Sequence, residues 1–279
     1  MTEGQAAVFS LEHLNTLRSA EIEKIVGHLR PPGARVLEIG AGTGQQAREL
    51  SRRGFKVEAI EIPSSNYAPD RMFPIIDFDG RHIPFPDCSF DIVFSSNVLE
   101  HVPDLEQMHT EIRRVLKSPG YAVHVLPTHA WRFWTTLSAF PTALQYAASM
   151  GQQLKPRRPF KGAEIRRLAG ACYLASRHML APFAQRRHGE RGNALSETWL
   201  FHPHWWRRNF RANGFDVMMD EPMGLFYTGN MTFNSRWSLA RRAQLAHIFG
   251  SACHIFELKV RAAAGSDVDD NHRMIGSCS

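Results

Sequence analysis

A glycine-rich stretch near the amino terminus, VLEIGAGTGQQ at residues 36–46, carries residue types suited to holding a ligand. A short apolar run leads into three glycines spaced two residues apart, Gly40, Gly42 and Gly44. Glycine at a strand-to-helix turn lets the backbone approach a ligand closely and leaves the first helical N–H groups free to point at it. Glu61 lies at the end of the next predicted strand, where a carboxylate can accept both hydroxyls of a ribose. The spacing therefore predicts a nucleoside-binding loop.

Glu38, two residues before the first glycine, narrows the choice of nucleoside. A pyrophosphate would meet this carboxylate as a like charge in a crevice of low dielectric constant. Position 45, where a dinucleotide-binding fingerprint has glycine, is Gln45. A ligand with a cationic end suits the carboxylate better. We therefore expect S-adenosylmethionine (SAM), which carries an ammonium and a sulfonium, and keep a nicotinamide-dependent oxidoreductase as an alternative.

Strand-like and helix-like patterns alternate around this loop. Ser19 is predicted to cap a helix that stops at Pro31, and Asp104 to cap a second helix with Gln107 three residues on. The glycine loop is followed by a predicted helix over 46–53, and later helices are predicted over 131–150, around Trp206 and Phe210, and over 235–249. The predicted strands cover 35–39, 56–62, 73–78, 90–95, 121–126, 215–219 and 254–260.

This alternation predicts an α/β fold, a Rossmann-like, seven-stranded, mostly parallel sheet with helices on both faces and a helical insertion after strand 5. We expect residues 1–128 to form the SAM-binding core and residues 129–201 a helical acceptor-binding insertion or lid. Residues 202–262 are expected to complete the core sheet. The polar tail, 263–279, is expected to be disordered.

Three further stretches support a specific family. LEIGAGTG opens the loop, FDGRHIPFPDCSFDIVFSSNVLEHV runs through the third and fourth strands, and RVLKSPGYAVHVLP covers the helix and strand that follow. Together they resemble the class I SAM-dependent methyltransferases, particularly the broad group that acts on small molecules and lipids. The resemblance covers roughly residues 20–128. KSPGY departs from the family's more usual Pro-Gly-Gly, which implies a local change in one loop.

The resemblance implies a role for each residue that matches the family's motifs. Glu38 and the backbone of Gly40 would hold the methionine end, Glu61 the ribose, and Asp79 the adenine amino group. Ser96 and Asn97 would line the methionine amine and the transferred methyl. The complete predicted cofactor set is Glu38, Gly40, Ala41, Gly42, Gly44, Glu61, Ile62, Asp79, Gly80, Ser96 and Asn97. Each of three members also fits a structural role, Glu61 as a strand-end carboxylate, Asp79 as a turn former and Asn97 as a cap.

Three histidines are candidates for a catalytic base. Methyl transfer to a hydroxyl, the acceptor we expect, benefits from a general base near neutral pH. His101 follows the fourth strand and His129 the fifth, and His188 lies in the insertion. For His101 the resemblance favours a structural role, because LEHV occurs in family members with different acceptors.

Two features bear on the acceptor. Methylases of nucleic-acid bases carry an Asn/Asp-Pro-Pro-aromatic motif after the fourth strand, where this chain has Ser96-Asn97-Val98, so we expect no nucleic-acid partner. Trp131, Arg132 and Trp134, directly after the fifth strand, are predicted to contact an apolar or amphipathic acceptor. The alternative is that these aromatic residues form the insertion's own core.

Charge and cysteine content indicate which partners, metals and cellular compartment to expect. The net charge is +6, and residues 155–191 carry ten basic residues against two acidic ones. This segment is either a solvated helical surface or a patch for a phosphate or an anionic membrane. The second interpretation favours a lipid-linked or glycan-like acceptor of the cell envelope. The four cysteines lie at no metal-ligand spacing, so we expect no metal and a reduced compartment. No apolar run reaches a membrane span, which predicts a cytoplasmic protein. A SAM-binding partner protein without turnover remains the second functional hypothesis, and the oligomeric state stays open.

Overall fold

The computed structural model describes residues 11–141, 187–193, 195–229 and 236–262, with isolated positions between 162 and 176. Its strands form a seven-stranded sheet of order β3-β2-β1-β4-β5-β7-β6. The pairs between neighbours from β3 to β5 are parallel, and β6 pairs with β7 antiparallel. The strands are β1 (Arg35–Ile39), β2 (Lys56–Glu61), β3 (Ile76–Asp77), β4 (Phe90–Ser96), β5 (Leu116–Pro127), β6 (Phe215–Pro222) and β7 (Cys253–Val260).

The described helices alternate with these strands along the chain. They are α1 (Leu11–His28), α2 (Gln45–Arg52), α3 (Leu105–Val115), α4 (His129–Leu137), α5 (Glu197–Leu200), α6 (Pro203–Ala212) and α7 (Leu239–Phe249). A short 3₁₀ turn, Leu99–His101, follows β4. Since the carboxyl ends of parallel strands meet at one edge of a sheet, the segments after β1, β2 and β4 share that edge.

The chain divides into two compact units. Unit 1 comprises residues 1–17, 127–201 and 224–253, and unit 2 comprises residues 18–126, 202–223 and 254–279. The predicted domain boundaries near residues 128 and 201 lie close to changes of unit. Residues 224–253, expected with the sheet, fall in unit 1.

The core of unit 2 joins the sheet to α3 and α6. Consecutive residues Ile92, Val93 and Phe94 of β4 are fully buried, as in a strand covered on both faces. Phe210 of α6 lies in the same core, with ring centroids 5.4 Å from Phe256 and 5.7 Å from Trp206. The predicted α/β fold, with its seven-stranded, mostly parallel sheet, is therefore confirmed.

Several local predictions are confirmed at the level of single residues. Asp104 caps α3 and accepts a hydrogen bond from the backbone N–H of Gln107 at 3.1 Å. Gly214 follows the end of α6 with a positive φ of 82°, as a glycine beyond a helix end does. The first strand begins and ends where the sequence predicts.

Three expectations are wrong. The first helix begins at Leu11, so Ser19 lies inside it and does not cap it. The fifth strand begins at Leu116 and runs through the Ser-Pro-Gly segment that was expected to be a loop, because Leu116 already pairs with Phe90. Cys88 is disulfide-bonded, whereas a reduced set was expected; Cys172 and Cys253 are free thiols.

Parts of the predicted insertion and the tail lie outside the described residues, including 142–161 and 263–279. Among the helices that the structure describes, none combines the length and the apolar character needed to cross a membrane.

Phe210 provides a test of this packing. Replacing a fully buried aromatic side chain by alanine removes its burial and leaves a cavity, so Phe210→Ala should lower the free energy of unfolding by about 3–5 kcal/mol. Arg211→Ala, on the exposed side of the same helix, is the matched control and should change it by less than about 0.5 kcal/mol. Urea denaturation measures both, and equal effects would contradict the assigned core.

Candidate functional site

The glycine loop connects β1 to α2 in an unusual backbone conformation. Gly40, Gly42 and Gly44 all have positive φ, between 58° and 77°. The backbone N–H groups of Gly40 and Ala41 donate to the carbonyl of Ile60 at 2.9 and 3.1 Å, which ties the loop to β2. A Cβ on Gly40 would lie 2.8 Å from Cγ1 of Val98 and closer still to Cγ2. The loop therefore requires glycine at position 40, for its backbone angle and for space.

Glu61, at the end of β2, holds the loop by its side chain. Its two carboxylate oxygens accept from the backbone N–H groups of Gly42 and Ile62, each at 2.8 Å. The carboxylate is 9% exposed and lies at the carboxyl edge of the sheet. Each oxygen has a second lone pair, so Glu61 can hold the loop and still accept a ligand hydroxyl.

Glu38 is a buried carboxyl group within β1. It is 2% exposed and accepts a backbone hydrogen bond from Ala47 in α2. Its Oε2 has no hydrogen-bond partner among the described residues. Burial raises the pKa of Glu38 to about 8; the Ala47 N–H opposes this rise and the nearby charge of Glu61 adds to it. A buried acid with a spare oxygen is suited to a cationic ligand group.

Asp79 shapes the turn after β3. Its Oδ1 accepts from the backbone N–H groups of Arg81 and His82, both at 2.7 Å, and its Oδ2 lies 2.8 Å from Nδ1 of His82. The hydrogen bonds from His82, backbone first and then side chain, lower the pKa of Asp79, and that from the Arg81 backbone adds to this. Gly80 beside it has a φ of 80°, and a Cβ added there would lie 3.4 Å from Ile62, so this turn lies beside the end of β2.

The segment after this turn is clamped by α3. Glu111 accepts from the backbone N–H of Ile83 at 2.8 Å, and Arg114 donates to the carbonyls of Ile83 and Phe85 at 2.9 and 2.8 Å. Arg114 also forms two hydrogen bonds to Glu111, which lower the pKa of that carboxyl group. Helix α3 thus fixes the segment that follows the Asp79 turn.

Ser96 and Asn97 follow β4 at the same edge of the sheet. Asn97 has a φ of 55°, uncommon for a residue other than glycine, and its backbone N–H donates to the carbonyl of Val125 at 2.8 Å. Ser95 contacts Nδ1 of the fully buried His124 at 2.7 Å, and burial lowers the pKa of His124 to about 3. His124 was not predicted; its place in an otherwise apolar strand was the available signal.

The predicted cofactor residues are thus neighbours within unit 2, while the predicted histidines lie in both units. His101, in unit 2, is exposed, and its Nε2 lies 3.8 Å from an oxygen of the buried Glu100. In unit 1, His129 begins α4, and the ring of the exposed His188 packs at a tilt against Trp131, with ring centroids 4.6 Å apart. Their role as a base stays a prediction.

The three predicted acceptor residues have partners within unit 1. Trp131 is 8% exposed and packs near Phe201, and Nε1 of Trp134 donates to the carbonyl of Phe249 at 2.9 Å. Arg132, 2% exposed, pairs with Glu197 at 2.9 Å. These contacts favour the reading in which the three residues belong to the core of unit 1, and contact with an acceptor stays a prediction.

Comparison with known proteins identifies the glycine-loop region. Residues 37–124 match the family described as a methyltransferase domain. A sterol 24-C-methyltransferase of Gibberella zeae is 32% identical over 100 residues, 32% of this chain and 26% of that protein. A sarcosine/dimethylglycine N-methyltransferase of Halorhodospira halochloris is 32% identical over 110 residues, 36% of this chain and 39% of that protein. The chain thus matches less than half the length of these curated relatives.

A solved structure shares the fold. A putative methyltransferase in complex with the Trm112 methyltransferase activator of Haloferax volcanii aligns over 90% of this chain and 91% of its own, with a TM-score of 0.50 and 14% identity. A SAM-dependent methyltransferase of Aquifex aeolicus aligns over 90% and 99%, with a TM-score of 0.48 and 13% identity.

Gly40→Ala tests the loop geometry. The left-handed backbone costs a residue with a Cβ about 1–3 kcal/mol, and the methyl group would also displace Val98. We expect a lower free energy of unfolding and weaker SAM binding, measured by denaturation and calorimetry. Gly27→Ala is the matched control, because nothing lies within 4 Å of its Cβ position inside α1. It should stabilise the protein by about 0.5–1 kcal/mol. Equal behaviour of the two variants would refute the assigned close approach.

Proposed function

We propose that this chain, whose residues 37–124 match a methyltransferase domain, is a class I SAM-dependent methyltransferase that transfers a methyl group from SAM to a small-molecule or lipid- or glycan-like acceptor, at oxygen. The observation that carries this proposal is the buried Glu38 carboxyl group beside the glycine loop, with one oxygen unpartnered among the described residues. A SAM-binding partner without turnover and a nicotinamide oxidoreductase are the competing functions.

The residues present fit this cofactor. Glu38 offers a carboxylate to an ammonium, Glu61 a carboxylate to ribose hydroxyls, and the Asp79 turn lies beside the end of β2, where adenine would be held. The site is acidic, which suits a sulfonium compound and opposes a pyrophosphate. Bound SAM supplies an electrophilic methyl group on sulfur, so the chain needs no nucleophile of its own. Its tasks are to align the acceptor and to exclude water.

The names of the relatives support the proposed acceptor class. The relatives that match residues around the loop are named for a sterol and for sarcosine and dimethylglycine, which are small or lipid molecules. For transfer to oxygen, a histidine would accept the hydroxyl proton as the oxygen–methyl bond forms and the methyl–sulfur bond of SAM breaks, which leaves S-adenosylhomocysteine. His101 is a candidate because the buried carboxylate of Glu100 lies within ion-pair distance of its ring.

Turnover is the direct test. Incubation with methyl-labelled SAM and extracts of envelope lipids, sugars and polyketides should form S-adenosylhomocysteine together with a labelled acceptor.

Replacing the histidine that serves as base, among His101, His129 and His188, should lower kcat about 10²–10⁴-fold with little change in SAM affinity. His247→Ala, exposed on α7, is the control. Binding of SAM without product would favour the partner protein, and binding of NAD without SAM the oxidoreductase. Full activity in all three variants would exclude a histidine base.

The raised pKa of Glu38 gives a second test. Below about pH 8 the free protein holds Glu38 protonated, so SAM affinity should fall by up to about tenfold per pH unit on the acid side. It should fall again at higher pH, where the α-amino group of the ligand, with an ordinary pKa of about 8, loses its charge. Glu38→Gln should weaken SAM binding at pH 8 about tenfold to hundredfold. It should also abolish the fall in SAM affinity below pH 8, as calorimetry across pH 6–9 would show.

Stability separates a ligand role of Glu38 from a structural one. Because its folded pKa lies above the ordinary value of 4.5, the folded chain keeps this proton where the unfolded chain has lost it. The group therefore destabilises the ligand-free protein as the pH rises from about 4.5 to about 8. Glu38→Gln, which keeps an oxygen for the Ala47 N–H, should be at least as stable at pH 8. A large loss of stability with unchanged SAM affinity would overturn the assignment.

A further inference from the structure

Helix α4 of unit 1 exposes large apolar side chains. Phe133 is 55% exposed and Leu137 is 47% exposed. The two residues lie four positions apart, so their side chains are neighbours on the surface of the helix. Arg132 and Thr135 of the same helix are buried. Helix α4 thus packs one face against the protein and turns an apolar pair toward solvent, where an amphipathic helix normally carries polar residues.

Helix α7, also in unit 1, continues this apolar surface. Ile248 is 74% exposed and Phe249 is 38% exposed at the end of the helix. Nε1 of Trp134 donates to the carbonyl of Phe249 at 2.9 Å, and the centroids of these two rings are 4.9 Å apart. The ring of Phe133 lies 5.1 Å from the same indole ring. Ring contacts through Trp134 therefore join the exposed residues of both helices.

We call the exposed residues Phe133, Leu137, Ile248 and Phe249 the α4/α7 surface. Single exposed apolar residues are common in water-soluble proteins and need no explanation. A group of them joined by ring contacts is different, because it keeps several large apolar side chains in water together. Such a surface marks a place where the protein binds something apolar.

The segments that carry the α4/α7 surface have charges of one sign. Residues 127–163 and 224–253 contain eight Lys and Arg residues and no Asp or Glu. Arg241 is exposed and lies seven residues before Ile248, which places both on the same face of α7. The Arg241 guanidinium group lies 5.6 Å from the ring centroid of Trp237. Arg236 is exposed just before the helix. An anionic partner would meet no carboxylate from these two segments.

Large apolar side chains flanked by arginine are typical of helices that lie at a membrane surface. The apolar side chains enter the boundary between headgroups and acyl chains, and the arginines attract anionic lipids. We propose that the α4/α7 surface binds an anionic lipid bilayer, with α4 and α7 lying on the membrane. This binding goes beyond the proposed function and does not depend on it, since it requires neither SAM nor an acceptor.

Vesicle binding tests this surface. The purified full chain is sedimented with vesicles of phosphatidylcholine alone and with vesicles of phosphatidylcholine and phosphatidylglycerol in equal parts. Binding should be at least about tenfold tighter to the mixed vesicles, because they are anionic. Phe133→Ser and Ile248→Ser should each weaken this binding about tenfold. Arg241→Glu should weaken it by a similar factor, and high salt should reduce that charge effect.

Met218→Ser is the matched control. Met218 is 60% exposed on β6, in unit 2, so its replacement removes an equally exposed apolar side chain from outside the α4/α7 surface. It should leave vesicle binding unchanged. Thermal unfolding should show all four variants to be folded, because substitutions of exposed residues have small effects on stability.

Four results would overturn the proposal. They are no binding to mixed vesicles, equal binding to both kinds of vesicle, full binding by Phe133→Ser and Ile248→Ser, and an equal loss in Met218→Ser. Full binding by the two serine variants would assign the lipid contact to basic residues elsewhere in the chain. Light scattering covers the remaining occupant, a second copy of the chain. A dimer that Phe133→Ser dissociates, without vesicle binding, would identify the surface as a subunit interface. SAM binding and turnover, measured without lipid, test the proposed function separately.

Discussion

The carboxyl group of Glu38 is the constraint on which the candidate site depends. Strand β1 lies between β2 and β4, and the buried Glu38 side chain accepts a hydrogen bond from the backbone N–H of Ala47. Removing a carboxylate from water is costly, so the ligand-free chain keeps this group protonated at neutral pH. An ammonium ion placed at the free oxygen would favour ionisation and offset the desolvation. The fold therefore holds an acid whose ionised form a cationic ligand would stabilise.

The surrounding backbone is shaped by two other acids that bind N–H groups. Glu61 joins the glycine loop to the end of β2, and Asp79 closes the turn after β3. Glu111 and Arg114 of α3 fasten the segment that follows that turn. Each contact fixes a loop to a strand end or a helix, so the groups that would hold a ligand are set before it arrives. Such preorganisation reduces the ordering that binding would otherwise require.

Local signals made much of this architecture predictable. The cap at Asp104 and the apolar run in β4 each depend on neighbours in sequence, and both were read correctly. The start of α1 was not, because Ser19 looks like a cap and is bonded instead to Gln45 in the next helix. In β5, Gly120 lies against the carbonyls of Phe90 and Asp91, a tertiary contact that carries the strand through a sequence typical of a loop.

The net charge of the chain does not indicate which acceptor it binds, whereas the charged groups at the candidate site do indicate its cofactor. The chain is basic overall, with a net charge of +6, whereas its candidate cofactor site is lined by carboxyl groups. Net charge therefore says little about the ligand, and the placement of individual groups decides. The family match ends at residue 124, before the residues that fill unit 1. There the buried pair of Arg132 and Glu197 fixes α4 to α5, and Glu197 also accepts from the backbone N–H of Gly189. The sequence match to the methyltransferase domain therefore carries no information on these residues.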